Sequence, residues 1–420
     1  MLCSWSLATQ DVVLGVAVSV VLASTGFFCF YWFRLPSECT RSISPGRSVL
    51  VDNLKGVLIL TIVWGHVTAI PTLIVPQEAF VWGPALAWSS MFHMPAFSFL
   101  SGLCSKSVGS SASYANLVCM VLGPYVASKL LWWLDFCWRQ GLCVPLNLFD
   151  TYQVAGLEWY LACLFTWRLL TPLLLAMRSH VMLLAALVLG LLAGHWIGNT
   201  QVWALQRCFA FLPFFAAGLC VSRDDLEKWH SLRDRGVCLM FLIASFAAMM
   251  ATRASVFDLG KIGDLNFDYS AERLENAGWQ WAARLPCGVE YWMSSFHRLL
   301  RYCVSAPLIG CLIAATPSYN CWLTKIGSRS MFVYLVHPWI VDVVLRPALC
   351  QLDHGRFLGL TLSGRGQLLW LPIGCSAVLV ATMLSSDWVV YVLRPLVQPL
   401  WLERVVFESK SLRNGPANKV

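Results

Sequence analysis

Three histidines stand inside apolar segments of this chain, and they are the first residues whose type and position suggest chemistry. His66 closes the run DNLKGVLILTIVWGHV, His93 lies in MFHMPAFSFLSGL, and His337 lies in SRSMFVYLVHPWIV. A neutral imidazole can accept a proton from a hydroxyl, so each is a candidate general base. Lys55 precedes His66 on the same apolar run, and its point charge can attract a phosphate of an anionic donor.

These residues also have structural interpretations. A histidine inside an apolar helix can simply be bonded to a neighbouring helix, and Lys55 can be only a topology signal. Asp52, three residues before Lys55, can pair with it or cap the helix, and we count it with His66 among the candidate catalytic residues. Glu158 and Arg207 each open an apolar segment, where they are either interfacial anchors or part of an acceptor cleft.

Composition places these residues in a membrane protein. The chain has 420 residues, of which 58% are hydrophobic and 12% are charged, whereas soluble domains are roughly one quarter charged. The net charge of +8 does not indicate nucleic-acid binding, because the basic residues are scattered between apolar segments. The 17 cysteines include no C-x-x-C pair, so we expect small hydrophobic side chains and no metal site.

The apolar stretches predict an all-α fold, a polytopic transmembrane helical bundle with about eleven spans. The predicted spans lie near residues 12–33, 56–75, 82–104, 114–137, 155–176, 181–198, 203–221, 237–252, 296–316, 329–345 and 368–393. Basic residues concentrate in alternate connections, which predicts an outer N-terminus and an inner C-terminus. At about 1.5 Å per residue, His66, His93 and His337 all fall near mid-membrane, which favours a shared polar cavity.

The division of the chain follows from these spans. Residues 1–47 are predicted to form a signal anchor and a cytoplasmic linker, although a cleaved signal peptide is the alternative for the first span. Residues 48–401 form the predicted transmembrane domain, and 402–420 a polar tail. The 253–294 connection is either a short lid over a site or a solvated loop.

Five motifs occur in a fixed order and resemble the membrane-bound acyltransferase family three, particularly its fucose 4-O-acetylase-like branch. They are DNLKGVLILTIVWGHV, MFHMPAFSFLSGL, LEWYLACLFTWRLLTP, LQRCFAFLPFFAAGL and SRSMFVYLVHPWIV. The resemblance implies a ten-span core, to which this chain adds one N-terminal helix. It implies transfer of an acyl group, usually acetyl, from a cytoplasmic acyl-CoA to a hydroxyl of a carbohydrate or glycan.

The resemblance also implies roles for particular residues. The family's essential histidine falls on His66 and its basic partner on Lys55, which is Arg in many relatives. Glu158 stands where the family pattern has an apolar residue. The positions expected to contact substrate are His93, Ser101, Glu158, Arg207, Tyr334 and His337. Beside general-base catalysis, His66 can act as a covalent acyl carrier.

Two other classes compete with an acyltransferase. A secondary transporter would use the mid-membrane polar residues as a substrate or proton site, but the chain has no inverted repeat. A metal or haem protein is disfavoured because no two histidines share one helix at ligand spacing. We therefore expect a multi-pass integral membrane O-acyltransferase with acyl-CoA as co-substrate and no bound cofactor. Its expected partners are membrane lipid and a carbohydrate or glycan acceptor, without nucleic acid.

Overall fold

A computed structural model describes most of the chain from residue 48 to residue 407. The described ranges are 48–74, 79–106, 111–141, 144–150, 158–195, 202–232, 234–251, 289–346 and 370–407. The predicted N-terminal anchor and linker, residues 1–47, lie outside the described residues, as do residues 252–288 of the long connection. Within these ranges the secondary structure is helical, apart from an isolated bridge between Asp150 and Val202. The all-α prediction is confirmed.

The helices are α1 Val49–Ile74, α2 Ala79–Leu103, α3 Ser111–Leu117, α4 Gly123–Gln140, α5 Trp159–Ala176, α6 Ser179–Leu192, α7 Leu205–Cys220, α8 Arg223–Leu232, α9 Arg235–Ala251, α10 Val289–Ala315, α11 Trp322–Ser328, α12 Ser330–Trp339, α13 Trp370–Leu384, α14 Asp387–Val397 and α15 Trp401–Val406. A π-helical turn, Val118–Leu122, joins α3 to α4, and a second, Ile340–Leu345, extends α12.

The membrane character of the chain is evident in the lengths and compositions of these helices. The described residues contain four helices long and apolar enough to cross a membrane, or up to six if each of two interrupted pairs is one span. Further apolar helices are shorter, among them α9 and the helix formed by α12 with its π turn. The ten-span count stays a prediction.

Several element boundaries differ from the sequence prediction. The span predicted at 368–393 is interrupted at Ser385 and Ser386, because the Ser386 hydroxyl accepts a hydrogen bond from the Val389 amide and caps a new helix. The helix α8 was not predicted. Helix α10 begins at Val289, so the predicted 253–294 connection ends earlier than expected. The polar tail predicted to start at residue 402 begins as helix α15.

The chain divides into two compact units. Of the described residues, those within Met1–Met94, Asp224–Gly260 and Val304–Ser385 form the first unit, and those within Pro95–Arg223, Lys261–Cys303 and Ser386–Val420 form the second.

In the first unit, α1 and α11 pack with their backbones in contact. A Cβ added to Gly327 would overlap the carbonyl of Asp52, and one added to Gly56 would lie 2.5 Å from the carbonyl oxygen of Leu323. Such close approach is typical of helix pairs with small residues at the crossing. The crossing fixes the part of α1 that carries Asp52 and Lys55.

Asn53 secures the same crossing with a fully used side-chain amide. Its Nδ2 donates to the carbonyl oxygens of Pro317 and Tyr319, at 2.8 and 2.9 Å. Its Oδ1 accepts a 2.6 Å bond from the hydroxyl of Thr324. Because Asn53 is completely buried, these bonds offset the cost of removing its amide from water.

In the second unit, Gly102 and Gly218 let α2 and α7 approach closely. A Cβ on Gly102 would overlap the carbonyl of Phe215, and a Cβ on Gly218 would overlap the carbonyl of Phe99. Trp167 on α5 packs against Phe215, with ring centroids 5.2 Å apart, and donates its indole N–H to the Cys208 carbonyl at 2.9 Å. This packing fixes α5 and α7, whose first turns carry Trp159 and Arg207.

Candidate active site

His66 on α1 and His337 on α12 meet in the first unit. Their ring centroids are 5.1 Å apart, and the rings are tilted by 53°. His66 is half-buried and makes no hydrogen bond to any described residue. His337 is almost fully buried, with 1% of its surface exposed. Two imidazoles from segments far apart in sequence therefore share one small region.

The hydrogen bonding of His337 fixes which of its nitrogens carries a proton. Its Nδ1 lies 2.8 Å from the carbonyl oxygen of Val333, and because a carbonyl only accepts, Nδ1 must be the donor. In the neutral ring Nε2 is then an acceptor. This Nε2 is buried and has no hydrogen-bond partner among the described residues. An unused acceptor next to His66 is unusual for a buried polar atom and is consistent with a functional role.

An ion pair lies beyond the histidines, on the π-helical turn that follows α12. The Asp342 carboxylate and the Arg346 guanidinium are 2.6 Å apart. Both charges are close enough to His66 to act on it electrostatically. Single π-helical turns inside α-helices occur frequently at functional sites. A carboxylate near His66 favours an imidazolium that forms during proton transfer.

The other predicted residues of the first unit have separate surroundings. Lys55 is half-buried and makes no ion pair with any described residue, so the suggested pair with Asp52 is not formed. Asp52 is buried in the first turn of α1, where a carboxylate interacts favourably with the helix dipole. His93 donates from Nδ1 to the Ser89 carbonyl at 2.6 Å. The Tyr334 ring lies 6.4 Å from that of His337.

The predicted residues of the second unit lie on α2, α5 and α7. Glu158, with 2% of its surface exposed, precedes α5 and accepts a 3.0 Å hydrogen bond from Ser128. The Arg207 guanidinium lies 4.7 Å above the ring centroid of Trp159, in a cation–π contact. The Ser101 hydroxyl is 2.6 Å from the Tyr160 hydroxyl, which itself donates to the Phe97 carbonyl.

Three charged residues near these sites were not identified from the sequence. Lys129 is completely buried, donates to the Asp150 carbonyl at 2.7 Å, and is close enough to Glu158 for their charges to interact. Asp342 and Arg346 accompany the histidine pair. The signal was available for Lys129 and Asp342, because each is an ionisable residue within an apolar run, and such residues are functional candidates by default.

Within the described ranges, no group of three or more His, Cys, Asp or Glu residues is placed to hold a metal ion.

The fold and this site define a helical membrane protein with a histidine pair inside its apolar segments. Comparison with known families gives the class. The family model for the acyltransferase domain of the acyltransferase 3 family matches residues 49–387. The chain therefore belongs to this family and is a membrane acyltransferase. No curated protein and no solved structure matches the chain.

Proposed function

We propose that this membrane acyltransferase moves an acetyl or other acyl group from a cytoplasmic acyl-CoA to a hydroxyl of a carbohydrate or glycan. His66 is the general base in this reaction. The observation that carries the proposal is the His66–His337 pair, in which a half-buried imidazole lies beside a buried, unused acceptor nitrogen. The fucose 4-O-acetylase-like branch remains our preferred subgroup, because the sequence motifs occur in the order typical of that branch.

The proposed reaction needs one proton acceptor and one proton donor, and His66 serves as both. It takes the proton of the acceptor hydroxyl while the hydroxyl oxygen attacks the thioester carbonyl carbon. The bond from this carbon to sulfur then breaks, and the imidazolium of His66 gives its proton to the departing CoA thiolate. The products are an O-acyl ester and free CoA.

His337 orients His66 in this mechanism. The unprotonated Nε2 of His337 can accept a hydrogen bond from an N–H of His66. The other nitrogen of His66 is then unprotonated and can accept the proton of the acceptor hydroxyl. The ring centroids are 5.1 Å apart, a separation at which an N–H of one imidazole can reach a nitrogen of the other when the two ring edges face each other. The χ2 torsion of histidine is broad, so His66 can rotate to present such an edge.

Lys55 is the proposed contact for the donor. Its ammonium is half-buried and has no ion-pair partner among the described residues, so its charge is available to a phosphate of CoA. Lysine binds phosphate as a point charge, whereas arginine can bind it with two parallel hydrogen bonds. The contact is therefore expected to be salt-sensitive.

The acceptor-binding roles predicted for Ser101, Glu158 and Arg207 belong to the same proposal. Glu158 and Arg207 are largely buried charged groups at the first turns of apolar helices. An ionisable group inside a membrane segment is by default a candidate for a substrate or ion site. An acyl-His66 intermediate is the alternative chemical route, in which the same imidazole attacks the thioester and later transfers the acyl group.

The test uses the purified full chain in liposomes with isotope-labelled acetyl-CoA and a panel of methyl glycosides. Ester formation is followed by mass spectrometry and free CoA by thiol titration. His66→Ala is expected to lower kcat by about 10²–10⁴-fold, the usual contribution of a general base. His180→Ala is the matched control, because His180 is exposed at the start of α6.

Two results would overturn the proposal. One is a His66→Ala protein that keeps more than a tenth of the wild-type kcat while remaining folded. The other is a failure of the wild-type protein to form any ester although it binds acetyl-CoA. An acyl group trapped on His66 in the absence of acceptor would select the carrier route over general-base catalysis.

A further inference from the structure

A serine and a histidine that the proposed mechanism does not use lie together in the second unit. His195 ends the short 3₁₀ turn after α6, and Ser295 lies in the second turn of α10. His195 Nε2 and Ser295 Oγ are 2.8 Å apart. The Ser295 hydroxyl is also within donating distance of the Leu191 carbonyl, at 3.5 Å. In the tautomer of His195 that carries the ring proton on Nδ1, Nε2 accepts the serine hydroxyl proton across the shorter contact.

A buried cation accompanies this pair. Arg298 follows Ser295 by three residues on α10, so their side chains share one face of the helix. Its guanidinium is fully buried, donates to the Gly190 carbonyl at 3.1 Å, and acts electrostatically on His195. A nucleophile hydrogen-bonded to a base, with a cation nearby for the oxyanion, is an arrangement suited to acyl transfer.

Close packing holds the three side chains in place. A Cβ added to Gly190 would lie 2.7 Å from the Tyr302 hydroxyl, so α6 and α10 approach at this glycine. The Tyr302 hydroxyl in turn donates to the Ala210 carbonyl on α7, at 2.7 Å. Ser295 is 8% exposed and His195 is half-buried, so the pair is partly shielded from solvent without being sealed. The geometry is thus set by three packed helices, which is the support a preorganised site needs.

We propose that Ser295, His195 and Arg298 form a second acyl-transfer site, in which Ser295 accepts an acyl group from an ester or thioester. Ser295 Oγ attacks the acyl carbonyl carbon, and its proton moves to His195 Nε2. Arg298 balances the negative charge of the tetrahedral oxyanion. The bond to the leaving alcohol or thiol breaks, and the leaving group takes the proton from His195. Water or a second alcohol then attacks the acyl-serine, and its proton returns through His195 to Ser295 Oγ.

This site goes beyond the proposed reaction at His66 and does not depend on it. Its test uses an alkyl fluorophosphonate, which phosphonylates an activated serine and releases fluoride. The purified full chain is labelled in detergent, and the modified peptide is identified by mass spectrometry. We expect label on Ser295, and we expect p-nitrophenyl acetate to acetylate the same peptide.

Matched variants decide the roles of the three residues. Ser295→Ala is expected to abolish the label, whereas Ser376→Ala keeps it, because among the described residues the Ser376 hydroxyl bonds only to the Ile373 carbonyl of its own helix. His195→Gln is expected to slow labelling by at least about 100-fold, as for loss of a general base. Arg298→Lys keeps the charge, and its labelling rate is expected to lie within several-fold of wild type. Arg298→Gln loses the charge and is expected to be labelled more slowly than this. Circular dichroism verifies that each variant is folded.

The outcomes separate this inference from the proposed function. His66→Ala is expected to lose ester formation on glycosides while Ser295 is still labelled at the wild-type rate. Absence of label on Ser295 in the folded wild-type protein would overturn the inference. So would a labelling rate in folded His195→Gln equal to that of wild type, because the serine would then need no base.

Discussion

Replacement of His337 distinguishes a catalytic partner of His66 from a structural histidine. Asparagine places an N–H donor where Nδ1 stands, so it preserves the bond to the Val333 carbonyl but removes the acceptor at Nε2. Glutamine places its carboxamide oxygen near the position of Nε2, so it preserves the acceptor that the mechanism assigns to His66. The mechanism proposed above predicts that His337→Gln is the more active variant. A purely structural role predicts the opposite order, with His337→Asn closer to wild type.

The expected magnitude follows from the hydrogen bond that is lost. A hydrogen bond to a charged group contributes about 1.5–3 kcal/mol, and His66 is charged while it holds the hydroxyl proton. At about 1.4 kcal/mol for each tenfold change in rate, kcat of His337→Asn should fall roughly 12- to 140-fold. His337→Gln should remain within about fivefold of wild type. Neither replacement should change the KM for acetyl-CoA, because His337 is not expected to contact the donor.

The assay is ester formation from labelled acetyl-CoA in liposomes, with thermal unfolding measured for each protein. A double-mutant cycle with His66→Ala adds a second criterion, because a residue acting through His66 should not lower the residual rate further. Equal kcat values for folded His337→Asn and wild type would refute the role of Nε2. A loss of kcat in His337→Asn that persists in the His66→Ala background would also refute it.

Three further predictions concern donor binding, helix packing and sidedness. Lys55→Gln should raise the KM for acetyl-CoA by about 10-fold or more, whereas Lys55→Arg should still bind acetyl-CoA well. The KM of Lys228→Gln, a control at an exposed lysine, should equal that of wild type. An unchanged KM in Lys55→Gln would show that Lys55 acts only as a topology signal. Gly327→Ala should lower the free energy of unfolding by about 1–3 kcal/mol, because its Cβ would overlap the Asp52 carbonyl, and an unchanged melting temperature would contradict this packing. The third prediction is tested in sealed vesicles of known orientation, with each substrate supplied on one side. Arg207→Ala should mainly weaken use of the acceptor. Full activity with both substrates on the cytoplasmic face would refute an outer acceptor entrance.

The sequence by itself determined the class of this protein. The apolar runs are long and contain few charges, which indicates segments that lie in lipid. Such a segment folds as a helix, because its backbone must satisfy its own hydrogen bonds there. The helical boundaries of most predicted spans lie within several residues of the structure, since hydrophobicity and helix starts are local properties. The order of five motifs was enough to indicate the acyltransferase family that the match over residues 49–387 shows. Lys55 and His66 were predicted as site residues in the same way, because their spacing lies within one helix, and their roles stay predictions.

The tertiary structure decided which distant residues meet. His66 and His337 are separated by most of the chain, and His195 and Ser295 by 100 residues, so no local pattern pairs them. Packing across Gly56 and Gly327, and at Gly190, determines these encounters, because a missing Cβ lets two backbones approach and fixes which side chains face each other. The break at Ser386 likewise depends on a capping bond that competes with the continuation of an apolar helix. Helix character is set by neighbours in sequence, whereas a catalytic arrangement is set by neighbours in space.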